Sequence, residues 1–402
     1  MTNKKAIIVG CGIAGPILAL SLHRSGIDST IYEAQKKHSD NMGLMIYLNP
    51  SGCNILETFG LYDKVKRVSV ICNKIKINSH DGKNIVNFDQ SNHKEVFGVH
   101  TLAIKRGDLN KILREEVELK GIKIERGKRL TNIENTETRS TIAFFEDGTS
   151  VRGDFVVGCD GINSKVRQII MPDALPPKFT GSYVIGGMTD TIPANTKPKN
   201  TICFNLGKKS VFIYHLTSMG QAVWGCDMQI SKESIKEKIN LSNDEWKKII
   251  MSRHKDDDVF FRKLIESTEQ KLVRLSIYDL PTLPAWHKGV VCLTGDAAHA
   301  VTPHAGQGAS LSMESAMTLG KCLRDIPDTE QAFTKYHNLQ KKRAKKVQQI
   351  SRRNVWILSY KNSLQRWIRS VLFSVLSTTL RKKQEIEMYG YKIDWNKKVH
   401  SN

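Results

Sequence analysis

The sequence has no Cys-x-x-Cys pair, although it contains eight cysteine residues. Structural zinc sites and thioredoxin-like chemistry both need closely spaced cysteines, so the sequence argues against both. Several of the cysteines lie within apolar runs such as VVGCDG and VVCLTG, where cysteine behaves as a small buried hydrophobic residue. We therefore expect no metal site, free thiols and a cytoplasmic protein, since thiols persist in a reducing compartment.

Acidic residues are scarce relative to basic ones. The chain has 40 Asp and Glu residues against 61 Lys and Arg residues, which gives a formal net charge of +21. Residues 331–402 alone contain 17 of the basic residues and only three acidic ones. This concentration is typical of a solvated helix face, or of a surface for an anionic partner such as nucleic acid or a membrane. No nucleic-acid-binding motif accompanies this charge, so we expect no nucleic-acid partner. We also expect a monomer.

The sequence also lacks a long uninterrupted apolar run. The apolar-rich stretch Ala6–Leu22 follows two lysines, as in a signal peptide, but three glycines and a proline interrupt it. Near the C-terminus, LQRWIRSVLFSVLSTTLRKK has apolar residues at helical spacing, at positions 364, 367, 368, 371, 372, 375, 376 and 380. This segment predicts a helix packed across two domains or a basic amphipathic helix on a membrane. It is too short for a membrane span, so we expect no stable membrane insertion.

The N-terminal stretch KKAIIVGCGIAGPILALSLHRSGIDSTIYEA predicts a complete βαβ unit. We expect a strand over Ala6–Val9, a turn over Gly10–Gly15, a helix over Ile17–Arg24 and a second strand over Ser29–Tyr32 that finishes in Glu33. The turn has the form G-x-G-x-x-G. A strand before it, a helix after it and an acidic residue at the end of the next strand together indicate a dinucleotide-binding site.

Each glycine of this turn has a structural reason. Gly10 forms the turn, Gly12 lets a pyrophosphate approach the backbone, and Gly15 permits close contact between helix and strand. The free N–H groups of the helix N-terminus attract phosphate, and Glu33 is placed to accept hydrogen bonds from a ribose. The spacing alone does not separate NAD from FAD.

Two further apolar strands end in glycine and aspartate. The first, Phe155–Val157, continues into Gly158, Cys159, Asp160 and Gly161, and the second, Val290–Leu293, is followed by Gly295 and Asp296. Open α/β sheets bind ligands beyond the carboxyl ends of their strands. Both aspartates are therefore candidate ligand contacts.

The segment GDAAHAVTPHAGQGASLSMESA allows two interpretations. Asp296, one histidine (His299 or His304) and Ser310 could serve as the charge, base and nucleophile of a hydrolase. Alternatively, Pro303 and Gly306 bend the chain so that the backbone of a helix that begins near Gly308–Ser310 binds a cofactor. No G-x-S-x-G elbow occurs in the sequence, which favours the second interpretation.

Together, these segments resemble the class A flavoprotein (FAD-dependent) aromatic hydroxylases over roughly residues 5–350, and most of all the tetracycline destructases. The resemblance implies an α/β fold, with a Rossmann-like FAD-binding domain of the aromatic hydroxylase type, a β-sheet substrate domain and C-terminal bridging helices. We expect an FAD-binding domain at 1–70, 102–178 and 279–350, a substrate-binding sheet domain at 71–101 and 179–278, and a C-terminal helical segment at 351–402.

The resemblance also implies roles for individual residues. Asp296 would bind the ribityl chain, Asp160 and Gly161 would serve both FAD and NAD(P)H, and Arg106 with Leu109 matches an Arg-x-x-Leu element at a helix start. The chain departs from the family pattern at Ala34, where arginine is common, and at Ser310, where asparagine is frequent. Serine also caps helices well, so we expect the helix start to be intact. The expected cofactor-binding residues are Gly10, Gly12, Ile13, Ala14, Gly15, Glu33, Met42, Gly43, Arg106, Leu109, Asp160, Gly161, Gly295, Asp296, Pro303, Gly306, Gln307, Gly308, Ala309 and Ser310.

The activity that the resemblance implies is an FAD-dependent NAD(P)H:O2 monooxygenase. NADPH or NADH would reduce FAD, and O2 would then form a flavin C4a-hydroperoxide that hydroxylates a polycyclic phenol or enol. The expected substrate is a tetracycline, whose inactivation would confer antibiotic resistance. The alternatives are another aromatic or polyketide metabolite and a non-oxygenating flavin reductase. The halogenase signature GWxWxIP is absent.

No side chain is assigned as catalytic, because in this class the cofactor performs the chemistry. Segments 200–207, 210–217 and 220–230 alternate as strands do, and the hairpin over residues 70–88 would join the same sheet. The sequence does not say which face of the sheet each residue occupies. The possible substrate contacts are His304, Tyr214, His215, Trp224 and Met228.

Overall fold

The computed structural model describes residues 4–37, 44–135, 140–190, 192, 199–217, 220–358 and 378–400. The strands are β1 Lys5–Val9, β2 Asp28–Glu33, β3 Met45–Leu48, β4 Val70–Ile71, β5 Lys74–Ser79, β6 Asn84–Asp89, β7 Leu102–Lys105, β8 Lys123–Arg126, β9 Leu130–Asn135, β10 Thr141–Phe145, β11 Ser150–Gly153, β12 Phe155–Gly158, β13 Lys178–Thr189, β14 Thr201–Leu206, β15 Ser210–Leu216, β16 Ala222–Gln229, β17 Val273–Asp279, β18 His287–Lys288 and β19 Val291–Leu293.

The helices alternate with these strands in the first part of the chain and dominate its last part. They are α1 Ala14–Arg24, α2 Pro50–Thr58, α3 Tyr62–Arg67, α4 His93–Phe97, α5 Arg106–Leu119, α6 Lys165–Ile170, α7 Lys232–Glu237, α8 Asn243–Arg253, α9 Val259–Glu266, α10 Asp296–His299, α11 Gly308–Asp325, α12 Thr329–Leu358 and α13 Thr378–Tyr389, with a 3₁₀ turn at Pro303–Ala305.

A six-stranded sheet has the order β18-β19-β12-β1-β2-β8. All its neighbouring pairs are parallel except β18 with β19. The runs Ala6–Val9 and Phe155–Gly158 are buried on both faces, as expected for the central strands of a parallel sheet. Because the strands run in the same direction, the residues that follow β1, β2, β12 and β19 meet at one edge.

A seven-stranded sheet has the order β17-β13-β16-β15-β14-β5-β6. Its pairs are antiparallel apart from β14 with β5, and the predicted hairpin over residues 70–88 contributes β5 and β6. One face packs on α8 and α9, where Trp224, Cys226 and Met228 form a buried apolar cluster with Trp246 and Phe261. The alternate residues of β16 therefore lie on the opposite face.

Helix α11 is the central helix of the molecule. It packs on α1, α2 and α12, and every side chain from Ser310 to Leu323 is buried. Its contact with α1 is so close that a Cβ on Gly320 would lie 2.4 Å from Ser21 Cβ. Two small three-stranded sheets, β11-β10-β9 and β3-β7-β4, complete the fold.

The C-terminal residues pack back onto the body of the molecule. His93 and Glu385 of α13 form an ion-pair contact of 2.7 Å, and the Trp395 ring stacks against the guanidinium groups of Arg24 and Arg324. The predicted helical segment at 364–376 lies outside the described residues. Within the residues described here, no helix is both long and apolar enough to cross a membrane.

Candidate functional site

The three glycine-containing segments predicted to bind a cofactor come together at one edge of the six-stranded sheet. A Cβ on Gly10 would lie 2.5 Å from the carbonyl oxygen of Cys159, so the first and second segments are in contact. A Cβ on Gly295 would lie 2.8 Å from Ala14 Cβ, which joins the third segment to the start of α1. Side chains are excluded at both positions, by the Cys159 backbone at Gly10 and by the Ala14 methyl group at Gly295.

Gly12 differs from its neighbours in the G-x-G-x-x-G turn. Gly10 has a positive φ of 104°, and a Cβ on Gly15 would lie 2.1 Å from the carbonyl oxygen of Gly10. These two glycines are required by the turn itself. A Cβ on Gly12 would meet nothing within 4 Å, so a ligand can approach this part of the backbone closely.

Two of the helices that begin at this edge, α1 and α11, have no side-chain caps. Neither α1, which follows Ile13, nor α11, which follows Gln307, has a side-chain oxygen bound to its first N–H groups. By contrast, Asn49 caps α2 and Ser242 forms a capping box on α8. The exposed N–H groups of α1 and α11 can therefore bind an anionic ligand.

Glu33 at the end of β2 lies next to the glycine turn. Its carboxylate accepts hydrogen bonds from the backbone N–H of Cys11 at 2.8 Å and of Gln35 at 2.8 Å. The side chain remains partly exposed. Glu33 is thus fixed in position by the turn, and it has further acceptor capacity for a ribose hydroxyl.

Asp160 has a structural role that the sequence interpretation missed. Its Oδ2 accepts hydrogen bonds from the backbone N–H groups of Lys165 at 2.7 Å and Val166 at 3.1 Å, at the start of α6. Its Oδ1 is buried and has no hydrogen-bond partner among the described residues. Burial raises the pKa of this carboxyl group, although the hydrogen bonds partly oppose that effect. Gly161, beside it, has a positive φ of 79° and open space around it.

Asp296 and Arg106 interact across the site. Burial raises the pKa of Asp296, and the positive charge of Arg106 acts in the opposite direction. Arg106 is the first residue of α5 and is exposed, whereas Leu109, one turn later, is fully buried in the apolar core. The predicted Arg-x-x-Leu element therefore combines one residue at the site with one packing residue.

The segment between α10 and α11 contains the bend and the helix start that are predicted to bind the cofactor. After the 3₁₀ turn at Pro303–Ala305, Gly306 adopts a positive φ of 60° and lies against the Tyr47 ring. Gln307 occupies the N-cap position of α11, and its amide oxygen accepts a hydrogen bond of 2.5 Å from Asn49. Gly308 and Ala309 are the first two residues of the helix.

The prediction that Ser310 caps α11 is wrong. Ser310 is the third residue of the helix, it is fully buried, and its hydroxyl has no partner among the described residues. A Cβ on Gly52 of α2 would lie only 2.4 Å from this hydroxyl oxygen. The side chain is buried because α2 packs closely there, and an N-cap side chain must instead lie outside the helix.

The hydrolase interpretation finds no geometric support. His299 Nε2 lies 2.7 Å from the Ser315 hydroxyl, and burial lowers the pKa of His299 to about 4. His304 Nε2 lies 2.6 Å from the Asp227 carboxylate. Neither histidine is hydrogen-bonded to Ser310. Asp296, His299, His304 and Ser310 therefore do not form a charge–base–nucleophile arrangement.

The predicted substrate contacts divide between the two faces of the seven-stranded sheet. Trp224 and Met228 are buried against the helices, and Tyr214 packs on Phe260 on that same side. His215 pairs with Val223, so it lies on the sheet face opposite Trp224 and Met228. It is 4% exposed, and its Nε2 atom has no hydrogen-bond partner among the described residues. We therefore no longer propose Trp224, Met228 and Tyr214 as substrate contacts.

The sequence patterns did not predict two polar residues that lie at this face. Asp227 and Tyr47 contact the loop at 303–306, Asp227 through His304 and Tyr47 through Gly306. A sequence pattern gives no direct signal for such contacts, because the partners are far apart in the chain. The predicted flavin neighbours Met42 and Gly43 lie outside the described residues.

The residues at the edge of the six-stranded sheet fit an FAD molecule. The glycine turn and the uncapped start of α1 offer N–H groups to a pyrophosphate, Glu33 and Asp296 offer carboxylates to ribose and ribityl hydroxyls, and the start of α11 offers further N–H groups. The unpartnered Oδ1 of Asp160 lies in the same group of segments. These are the donors and acceptors that a dinucleotide needs.

Comparison with known proteins identifies the same cofactor. Residues 3–352 match the family described as FAD binding domain. The 6-hydroxynicotinate 3-monooxygenase of Pseudomonas fluorescens is 25% identical over 387 residues, which cover 88% of this chain and 92% of the relative.

Solved structures share the fold at lower identity. The structure of Klebsiella pneumoniae HpxO complexed with FAD and uric acid has a TM-score of 0.86 at 22% identity, and the alignment covers 96% of both chains. The tetracycline destructase Tet(51) has a TM-score of 0.69 at 18% identity and covers 96% of this chain and 98% of its own. The fold class, the family and the enzyme class predicted from the sequence are confirmed: the chain belongs to the FAD binding domain family and is an FAD-dependent monooxygenase of the aromatic hydroxylase type.

Proposed function

We propose that this enzyme uses NAD(P)H and O2 to hydroxylate an aromatic or enol compound that carries an acidic hydroxyl group. The observation that carries the proposal is the meeting of three glycine-containing segments and two uncapped helix N-termini at one sheet edge. Bound FAD supplies the redox chemistry, accepting a hydride and activating O2, so the protein itself needs no nucleophile.

The residues of this chain bind and orient the cofactor in the proposal. Gly10, Gly12 and the first N–H groups of α1 would hold the pyrophosphate, Glu33 the ribose, and Asp296 the ribityl chain. The N–H groups and the helix dipole at the start of α11 would stabilise negative charge on the flavin. The support is the absence of side-chain caps on both helices and the open space at Gly12.

The substrate would lie between the 303–310 loop and the seven-stranded sheet. The face of that sheet opposite the helices contains Asp227 and His215, and Leu44 of the FAD-binding part packs directly on Gly186 of β13. These contacts hold the two parts close together, and a site between them would exclude water from the reacting groups. We propose that the seven-stranded sheet with α7–α9 is the substrate-binding unit.

Two substrate classes follow from different observations. The compact chain with its C-terminal helical segment resembles the tetracycline destructases and so favours a tetracycline, and the fold shared with a tetracycline destructase is compatible with it. The second candidate is a small hydroxylated N-heteroaromatic compound, favoured by the relative named as a 6-hydroxynicotinate 3-monooxygenase. Both classes carry an ionisable hydroxyl or oxo group next to an electron-rich carbon.

One experiment distinguishes these possibilities. The purified protein is incubated with FAD, O2 and either NADPH or NADH, in separate reactions with tetracycline, 6-hydroxynicotinate and uric acid. We expect a yellow protein, substrate-stimulated oxidation of the nicotinamide, and by mass spectrometry a product with one added oxygen atom. Nicotinamide oxidation without O2 consumption would indicate a reductase instead. A colourless protein that cannot be reconstituted with FAD would contradict the proposal.

A further inference from the structure

A buried histidine–carboxylate pair connects the loop at 303–306 to the seven-stranded sheet. His304 Nε2 lies 2.6 Å from Asp227 Oδ2, and the two side chains are 6% and 7% exposed. The second carboxylate oxygen of Asp227 accepts a hydrogen bond from the Ser182 hydroxyl. From the other side, the Asn354 amide donates to the His304 carbonyl oxygen at 2.9 Å. Asp227 therefore contacts the imidazole directly, Ser182 of β13 fixes the carboxylate, and Asn354 of α12 fixes the backbone of His304.

The pair lies on the sheet face that is turned away from the helices. Asp227 alternates along β16 with Cys226 and Met228, which are buried against α8 and α9. His304 belongs to the turn that leads through Gly306 into α11. The imidazole is consequently at the junction between the proposed flavin-facing loop and the proposed substrate-binding sheet.

The geometry assigns the proton on the histidine. A carboxylate only accepts hydrogen bonds, so the short contact to Asp227 places the proton on Nε2 of His304. In the neutral ring, Nδ1 is then an acceptor. This Nδ1 is buried and has no hydrogen-bond partner among the described residues. Leaving a buried polar atom unpaired is costly, so Nδ1 calls for a donor group.

A second buried histidine–carboxylate pair in the same chain has a partner for each ring nitrogen. His254 Nδ1 lies 2.7 Å from Asp257, and its Nε2 lies 2.9 Å from the Ser210 hydroxyl. Both ring nitrogens are paired, and the His254 side chain is completely buried. His304 has the same kind of carboxylate partner but keeps one nitrogen available.

We propose that His304 accepts the proton of the substrate's acidic hydroxyl group through Nδ1, and that Asp227 is the positioning residue that fixes its tautomer. This proposal rests on the proposed function. The substrate O–H bond breaks and an N–H bond forms, which gives an aryloxide or enolate and an imidazolium. The electron pair stays on the substrate oxygen and raises the electron density of the neighbouring ring carbon. Asp227 stabilises the imidazolium.

The test measures the ionisation state of a bound probe without turnover. para-Nitrophenol is added to oxidised, FAD-loaded enzyme in the absence of NAD(P)H, at a pH below the pKa of the free probe. Its phenolate is yellow and its phenol is colourless, so a difference spectrum against enzyme alone reports the bound form. We expect the wild-type enzyme to bind the phenolate, and His304→Gln to bind only the neutral phenol.

Asp227→Asn tests the positioning role, since it preserves the size of the side chain. We expect it to weaken phenolate binding by on the order of tenfold, the scale seen when a hydrogen-bonded partner of a functional histidine is removed. His254→Gln and Asp257→Asn are the matched controls: they disturb a buried pair of the same kind, and we expect the probe to remain a phenolate. Addition of imidazole to His304→Ala should restore phenolate binding.

The outcomes separate this proposal from the proposed function. A wild-type enzyme that holds FAD but binds no probe, or binds it as the neutral phenol, overturns the proton-accepting role. The same holds if His304→Gln still binds the phenolate. Loss of FAD from the wild-type enzyme would contradict the proposed function instead.

Discussion

Gly12 and Gly15 belong to one turn but respond to different physical demands. The backbone at Gly15 lies against the Gly10 carbonyl group, whereas the space beside Gly12 is open on the protein side. Gly15 is therefore constrained by folding, and Gly12 is constrained only by a ligand that approaches the turn from outside. Substitution at each position separates the two requirements.

Gly12→Ala should fold normally and bind FAD poorly. The added methyl group meets no protein atom within 4 Å, so we expect the thermal midpoint of the apoprotein to be unchanged. FAD binding, measured by flavin fluorescence titration, should weaken at least severalfold because the methyl group occupies the path of the pyrophosphate. Gly15→Ala is the comparison: its Cβ would lie 2.1 Å from the Gly10 carbonyl oxygen, so it should lower the stability of the apoprotein itself. Unchanged FAD affinity in Gly12→Ala would mean that the pyrophosphate lies elsewhere.

Local sequence patterns were sufficient to predict the glycines of the candidate site and insufficient to predict the side chains around them. Gly10 and Gly295 are predictable because each has a positive φ at the end of an apolar strand, and this restricts the residue type locally. The pairing of Asp227 with His304 depends on how two distant elements pack, so no local pattern contains it. Ser310 was misread as a cap because the helix start depends on the bend at Gly306, whose exact position the sequence left open.

At the scale of elements, a buried polar network joins α11 to its neighbours. Glu314 of α11 accepts hydrogen bonds from Ser51 of α2 at 2.5 Å and from two nitrogens of Arg343 of α12 at 3.1 Å each. Arg343 also donates to the Met388 carbonyl oxygen of α13 at 2.7 Å. The helix whose N-terminus lies at the cofactor site is thus tied to the C-terminal helix through one arginine.

Arg343→Met should destabilise the protein strongly. It leaves the fully buried Glu314 carboxylate without its partner, which typically costs about 3–5 kcal/mol. Urea unfolding of the apoprotein measures this loss, and the double variant Glu314→Gln with Arg343→Met should recover part of it. Arg352→Met on the same helix is the control, because the pair with Asp279 is partly exposed and should contribute less than about 1 kcal/mol. Equal effects of the two substitutions would contradict the role of the network.

The sequence predicted the elements of both sheets better than it predicted their orientation. Strand β16 and the hairpin over residues 70–88 follow from apolar alternation and turn residues. The alternation alone did not decide whether Trp224 or Asp227 faces the FAD-binding part, because a strand with one apolar and one mixed face can be turned either way. The answer depends on α8 and α9, whose apolar side chains cover Trp224.

For the whole molecule, buried histidines with shifted pKa values make the free energy of unfolding depend on pH. Burial lowers the pKa of His215 and of His299 from 6.5 to about 4. Between pH 4 and pH 6.5 the unfolded chain binds more protons at these two histidines than the folded chain does. Their contribution to the free energy of unfolding is therefore complete above pH 6.5 and is lost as the pH falls. Burial also opposes a charge on His254, but Cys226 and Asp257 outweigh it and raise its pKa to about 9.

Stability should therefore decline on both sides of a maximum near pH 6.5, the ordinary value for histidine. The contribution of His254 is complete below 6.5 and is lost as the pH rises through about 9. Urea midpoints measured across the pH range should show this shape. His254→Gln should flatten the alkaline side, and His299→Gln the acidic side. If His254→Gln left the alkaline decline unchanged, the source of that decline would be a different group.

The parallel pairing in the six-stranded sheet has a consequence for how the enzyme is made. Ala6 pairs with Phe155, and Val156 pairs in turn with Val291, so the sheet edge is completed by a strand from late in the chain. At ordinary rates of translation, β19 leaves the ribosome on the order of ten seconds after β12. A nascent chain that ends before β19 contains β1 and β12, but the edge of β12 that would pair with β19 is open, and Asp296 has not yet been made. If Asp296 binds FAD as proposed, flavin capture is a late event in synthesis, and we expect premature termination to yield aggregation-prone fragments without activity.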